Sequence, residues 1–499
     1  MKTMRTLAAL LAAFLVAASA GAQALQLTRE QPLIDAGGIN RFAAENLASF
    51  TTATLANGIP VVIKRSTTNR VLTVKAVLRG QVSFTPVQKA GLEAVMLTML
   101  TRGSAQYPYA EVQRRLFEAS AGISPGYGSF DLSSFDLVSI DTYFDDLFAV
   151  YADAFLHPSW NADEFPRVIS NFKIARQQAD ADPFSLAVRL LHETFFAGHP
   201  YAASWDGAGS SLDSITLDDV KSYYAKNVTA GRLFLVAVGN FDTPKLLARL
   251  NATFGSMPAA PYTRPPVPAF DGSVKPDLLL KNYPQAQGLA YVRGDFAMPG
   301  PDSPDYPAAL VAFNLLNDVL FEIVRTRNGA SYGASVALHG FTASYGDITV
   351  FKTTVPGKVK PLVDQAIAVL ASGKSMGGNV NASAAGKSGI GTAGEAQASA
   401  FIPIADALPF YKAEFVTQFY SGQETNTSIA SQIASSLVYH GDYRDYLLVM
   451  DRIQAVSADD VVRVTKKYLI GNPVLWMVLG DPALLAGVKK DDFLRFTGN

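Results

Sequence analysis

Residues 215–240 read ITLDDVKSYYAKNVTAGRLFLVAVGN, and residues 456–481 read VSADDVVRVTKKYLIGNPVLWMVLGD. The two stretches align without a gap at a constant offset of 241 residues. Each opens on a hydroxyl residue, Thr216 or Ser457, with an aspartate three positions later, the signature of a reciprocally capped helix start. An amphipathic segment follows, then an apolar run, LFLVAVG or VLWMVLG, that reads as a buried strand ending on glycine. Self-similarity on this scale points to duplication of a supersecondary unit. The flanks agree, since VLRG (77–80) and YVRG (291–294) each precede a long helical segment.

Working outward, the chain has 499 residues, too many for one core. A hydrophobic share of 49% against 17% charge describes a globular protein. The net charge of −1 gives no electrostatic reason to expect nucleic acid or an anionic membrane as partner. There is no cysteine, which excludes thiol catalysis and thiolate metal sites. Residues 1–24 combine Lys2 and Arg5, a short apolar run and Ala22-Gln23-Ala24, which reads as a secretory signal cut after Ala24. That run is too short to span a bilayer, and no later stretch reaches ~20 uninterrupted apolar residues, so no membrane span is expected. The expected location is the periplasm, or the medium.

Asn57-Gly58, between TLA and IPVVIK, signals a hairpin, so antiparallel strands open the first half. PAAPYTRPPVPAFDG (258–272) has linker composition. The expected plan is α+β: residues 25–257 and 279–499 as homologous halves, each a mainly antiparallel sheet packed with helices, joined by a Pro-rich linker over 258–278. Residues 371–395 are glycine-rich and contain Gly-Lys-Ser at 373–375 and 386–388. A phosphate loop needs a glycine five residues earlier, where Ala368 and Asn381 stand, so a surface loop is expected instead.

Chemistry is sparse. The five histidines, His157, His192, His199, His339 and His440, include no i, i+4 pair able to grip a metal from one helical face. No G-x-S-x-G elbow is present. One cluster is suggestive: VRTRNGASYGAS, 324–335. Arg325 closes a helical segment, Asn328-Gly329 makes a turn and Tyr332 starts a strand, so both side chains can face one space. A guanidinium and a phenol are both donors, suited to a substrate carbonyl or a developing oxyanion. Equally, Arg325 could cap helix carbonyls or pair with an acid while Tyr332 packs in the sheet. Residues 91–104, GLEAVMLTMLTRGS, have a broad apolar helical face and no ligand-bearing pair.

The order of landmarks resembles the insulinase/pitrilysin-like metallopeptidases, the inverted zincins, from about residue 50 to residue 485. GLEAVMLTMLTRGS lies where that family carries G-L-x-H-x-x-E-H-M-L-x-x-G-[ST], and DADP (180–183), GHPY (198–201), LDDV (217–220) and LVAVG (235–239) follow in family order. The resemblance implies the family fold, here half of a clamshell. It sets the two zinc histidines at Ala94 and Thr98 and the catalytic glutamate at Leu97. It sets the third ligand near Ile174 or Ala175, in a stretch, 167–192, without glutamate. This chain is thus expected to bind no metal and to cleave no peptide alone. The family's R-x-x-x-G-x-x-Y signature survives as Arg325, Gly329 and Tyr332. The resemblance therefore implies a zinc-less subunit of a bacterial heterodimeric peptidase. Its partner would carry H-x-x-E-H and the zinc, and Arg325 and Tyr332 would touch peptide substrate and transition state in trans. A non-catalytic scaffold or peptide-binding protein of the same fold is the alternative. The family's processing peptidase also has a glycine-rich loop, but it precedes the Arg-bearing helix, so no role carries over to 371–395.

Overall fold

The computed structural model describes residues 46–268, 275–377 and 400–497. Residues 1–24, read above as a secretory signal, part of the expected linker and most of the glycine-rich segment lie outside the described residues.

The first sheet has six strands: β1 (Phe50–Thr54), β2 (Pro60–Arg65), β3 (Val71–Arg79), β4 (Gly122–Gly126), β5 (Leu132–Ile140) and β6 (Leu233–Gly239), in the order β1-β2-β6-β3-β5-β4. The second has β7 (Asp277–Asn282), β8 (Ala290–Ala297), β9 (Ser331–His339), β10 (Tyr345–Thr353) and β13 (Leu475–Gly480), in the order β7-β13-β8-β10-β9. A two-stranded ribbon of β11 (Lys374–Met376) and β12 (Phe401–Pro403) stands apart. All pairs are antiparallel except one in each large sheet, β2 with β6 and β7 with β13. Matching that pair superposes the two orders strand for strand, with β1 the surplus. The duplication seen in the repeats is therefore a duplication of sheet topology. β7 starts at Asp277, so strand begins two residues before the expected end of the linker.

Local signals act as expected. Thr216 Oγ1 accepts from the Asp219 amide at 3.1 Å while the Asp219 carboxylate accepts from the Thr216 amide at 2.8 Å. Ser457 and Asp460 repeat the arrangement at 3.1 Å each way. Gly58 turns the β1–β2 hairpin with a φ of +91°, which glycine adopts without Cβ strain. The first Gly-Lys-Ser is no phosphate loop, because Lys374 and Ser375 belong to β11.

Strand alternation gives each sheet two apolar faces. In the first sheet Val74, Ala76, Leu235 and Ala237 pack under helices Leu92–Leu100, Asp141–Leu156 and Leu217–Asn227. The other face, Val62, Val77, Phe234 and Val236, is covered by helix Asn426–Tyr439 of the second half. Reciprocally, helix Pro183–Phe195 of the first half covers Tyr291, Tyr345, Leu475 and Met477 of the second sheet. The two helices begin 243 residues apart in sequence, close to the repeat offset. Each half lends a helix to the other, so neither sheet is fully buried without its partner half.

Helix Tyr306–Arg327 is 22 residues long with a mean hydropathy of 1.5, apolar enough to cross a membrane by composition. It is instead the central core helix of the second half, with Leu315, Leu316, Val319 and Leu320 fully buried against the sheet and its neighbours.

Candidate functional site

The helix Leu92–Leu100 starts at Gly91, whose φ of +88° is left-handed and whose missing Cβ would lie 2.8 Å from the Gly207 backbone. Every residue of the helix except Thr98 is buried. Ala94 and Leu97 are sealed in the core, and the Thr98 hydroxyl is spent on the Ala94 carbonyl at 2.8 Å. Ile174, where the third ligand is expected, sits 47% exposed on helix Phe165–Ala181, which packs against this one. Alanine, leucine and isoleucine offer no lone pair, and a threonine hydroxyl bound to backbone is no zinc ligand. Among the described residues no three His, Cys, Asp or Glu side chains gather as a metal site. The donor set does not fit zinc.

The sequence reading missed Glu93, in the first turn of this helix. Its carboxylate accepts from Arg232 Nη2 at 2.6 Å and from the hydroxyls of Tyr223 and Ser133. Glu93 and Arg232 are each 2% exposed. Arg232 Nε also donates to the Arg79 carbonyl at 2.6 Å, and its guanidinium lies 4.1 Å from the centre of the Phe84 ring. Burial, then the Glu93 charge, push the Tyr223 phenol well above its usual range, so it stays a donor. A buried ion pair with every strong partner met fastens the helix to β5, to helix Leu217–Asn227 and to β3. Glutamate amid apolar residues was the available signal, but its countercharge is 139 positions away.

Arg325 and Tyr332 come together as expected. The core helix Tyr306–Phe321 widens into one π-helical turn, Glu322–Arg327, and Tyr332 is the second residue of β9. Widened turns of this kind often sit at functional sites. Asn328 Nδ2 donates to the Ile323 carbonyl at 2.8 Å, the Ala330 amide to the Val324 carbonyl at 2.9 Å, and buried Glu322 holds Arg327 at 3.0 Å. Those bonds fix the turn without using the Arg325 side chain. The Arg325 guanidinium lies 5.3 Å from the centre of the Tyr332 ring and 5.0 Å from that of Phe321. Tyr332 is 72% exposed, and among the described residues Arg325 has neither ion pair nor side-chain hydrogen bond. The capping, acid-paired and sheet-packed alternatives are not what the structure adopts. The pair presents two donors to solvent, with the guanidinium steered by two ring faces rather than neutralised.

Four of the five histidines have protein partners. His192 and His199 hold backbone carbonyls of Tyr201 and Pro268 at 3.1 and 3.0 Å, and His339 and His440 sit on Asp347 and Asp445.

A family model described as "Peptidase M16 inactive domain" matches residues 214–377. The chain is 23% identical over 317 residues to the mitochondrial-processing peptidase subunit beta of Lentinula edodes, covering 59% of this chain and 60% of that one. It is 23% identical over 180 residues to the "Non-peptidase homolog YmxG" of Helicobacter pylori, covering 36% of this chain and 41% of that protein. It thus spans about half the length of these relatives. The crystal structure of a peptidase M16 inactive domain from Pseudomonas fluorescens superposes with a TM-score of 0.73 at 18% identity, covering 87% of this chain and 98% of the other. Residues 214–377 thus match the peptidase M16 inactive domain, and the chain shares the fold of that domain's solved structure, with a helix that carries no zinc ligand.

Proposed function

We propose that this chain is the metal-free subunit of a heterodimeric, exported zinc peptidase. It binds peptide and presents Arg325 and Tyr332 to the scissile carbonyl at a site whose zinc belongs to an H-x-x-E-H partner. The observation that carries the reading is the solvent-facing Arg325–Tyr332 pair, without an acidic partner among the described residues. The guanidinium hydrogen-bonds a peptide carbonyl and positions the substrate, while the phenol donates to oxygen as charge develops there. The signal-like residues 1–24 and the lack of cysteine support export.

One observation favours the alternative, a non-catalytic peptide-binding or scaffold protein: a relative bears the name of a non-peptidase homologue. The experiment separating the two measures chelator-sensitive cleavage of an unstructured peptide by the zinc subunit, with and without this chain. Stimulation by the wild type is expected. Arg325→Ala and Tyr332→Phe are expected to lower turnover ~10²–10³-fold each at unchanged complex formation, the cost of losing one placed donor. Near-normal turnover in both variants refutes the assignment.

A further inference from the structure

At the seam between the halves, beside helix Pro183–Phe195, lies a cavity of about 300 Å³ with aromatic walls. Phe130 and Trp205 come from the first half, Tyr345 from β10, and Phe184 and His192 from the helix. Trp205 meets Phe130 edge-on at 4.6 Å, and Phe130 stacks on the His192 ring at 5.0 Å. Phe184 packs on Phe351 of β10 at 4.5 Å, and Phe351 pairs across the sheet with Gly333, the neighbour of Tyr332. The cavity thus lies on one face of this sheet, and Tyr332, one residue before Gly333, belongs to the opposite face.

The charges lining it are balanced. Arg189 is held by Asp180 and Glu193 at 2.9 Å each, and Arg176 by Asp180 at 2.9 Å with Asp206 at 3.8 Å. Two guanidinium groups answered by three carboxylates leave no surplus for a phosphate or another strong anion. Among the described residues, one buried polar atom of the lining lacks a partner, the donor Arg176 Nε. His192 Nε2 faces the Tyr201 carbonyl at 3.1 Å and so must carry the hydrogen, which leaves Nδ1 an acceptor. Burial lowers the His192 pKa to about 4, so the ring is neutral near pH 7. The His192 acceptor suits the N–H of a peptide group, and the ring walls match a flat apolar side chain.

We propose that this cavity is a side-chain pocket for an aromatic residue of a bound peptide. The proposal deepens the peptide-binding reading above and rests on it. Trp205 supplies its own reporter. The full chain is titrated with N-acetyl-phenylalanine amide and with N-acetyl-glycine amide while tryptophan emission is followed. The phenylalanine amide is expected to give a saturable change with half-saturation of about 1 mM, the range for a ligand of its size, and the glycine amide none. Val188→Phe, which fills the cavity from the helix, is expected to weaken binding at least about tenfold. Trp205→Phe is expected to silence the emission change although Trp160 and Trp476 remain. No saturation, an equal response to glycine amide, or a signal that survives Trp205→Phe overturns the pocket. If Val188→Phe does not fold by circular dichroism, the Trp205→Phe arm decides. The titration needs neither partner nor turnover, so binding without stimulated cleavage overturns the subunit assignment and leaves the pocket standing.

Discussion

Glu93 and Arg232 offer the sharpest test of how the non-ligating helix is held. Their side chains meet at 2.6 Å with both residues 2% exposed, so neither charge is screened by water. Glu93→Gln removes the countercharge of a guanidinium that cannot deprotonate, leaving it buried against Phe84 and the Arg79 carbonyl. Arg232→Met removes the cation and leaves a carboxylate held only by two hydroxyls, from Tyr223 and Ser133. Breaking one side of a buried pair costs about 3–5 kcal/mol, and the glutamine variant belongs at the upper end because its stranded charge has no neutral form. For a half of this size each kcal/mol lowers Tm by about 2–4 °C, so a loss of roughly 10 °C is expected. Replacing both groups, as Glu93→Leu with Arg232→Met, removes the stranded charge and is expected to recover most of the loss. Urea denaturation followed by circular dichroism on the wild type, both single variants and the double variant yields the coupling free energy. Single-variant losses below about 1 kcal/mol, or a double variant that loses the sum of both, refute the argument.

Two further outcomes follow from the same structure. His192, with a pKa lowered to about 4 by burial, is neutral in the folded chain and protonates more readily when unfolded. Its contribution is therefore complete above about pH 6.5 and is lost as pH falls toward 4, about 3 kcal/mol in all. Asp295, pushed up to about 6 by burial, works in the opposite sense, so only the difference between wild type and His192→Phe isolates the histidine. That difference in unfolding free energy is expected to shrink by this amount between pH 6.5 and 4, and a constant difference refutes it. Rebuilding the family motif with Ala94→His, Leu97→Glu, Thr98→His and Ile174→Glu is expected to unfold the first half rather than bind zinc, because positions 94 and 97 have no spare volume. Stoichiometric zinc uptake by a folded variant, measured with a metal indicator, would show that packing has not closed the site.

Much of this was legible locally. The capping boxes at Thr216 and Ser457, the Asn57-Gly58 hairpin and the apolar strands are signals carried by residues a few positions apart, and the duplicated plan follows from seeing them twice. Arg325 and Tyr332 were legible for the same reason, since seven residues of helix end, turn and strand start bring them together. The absence of ligands at 94, 97 and 98 needs only the residue types, because no packing can make alanine or leucine coordinate a metal.

What the tertiary structure alone decided are matters of long sequence separation. Whether Arg325 would be paired or free depended on which acids the fold brought near it, and among the described residues it brought none within pairing distance. Glu93 reads as an oddity in an apolar helix until Arg232 arrives from across the half. Helix Tyr306–Arg327 has a bilayer-like composition, and only its place between sheet and helices makes it a core element. The exchange of helices Pro183–Phe195 and Asn426–Tyr439, and the aromatic cavity beside the first of them, exist because two halves dock. Periodicity shows that a face is apolar; which surface covers it is chosen by the collective burial of both halves, and no local stretch encodes that choice.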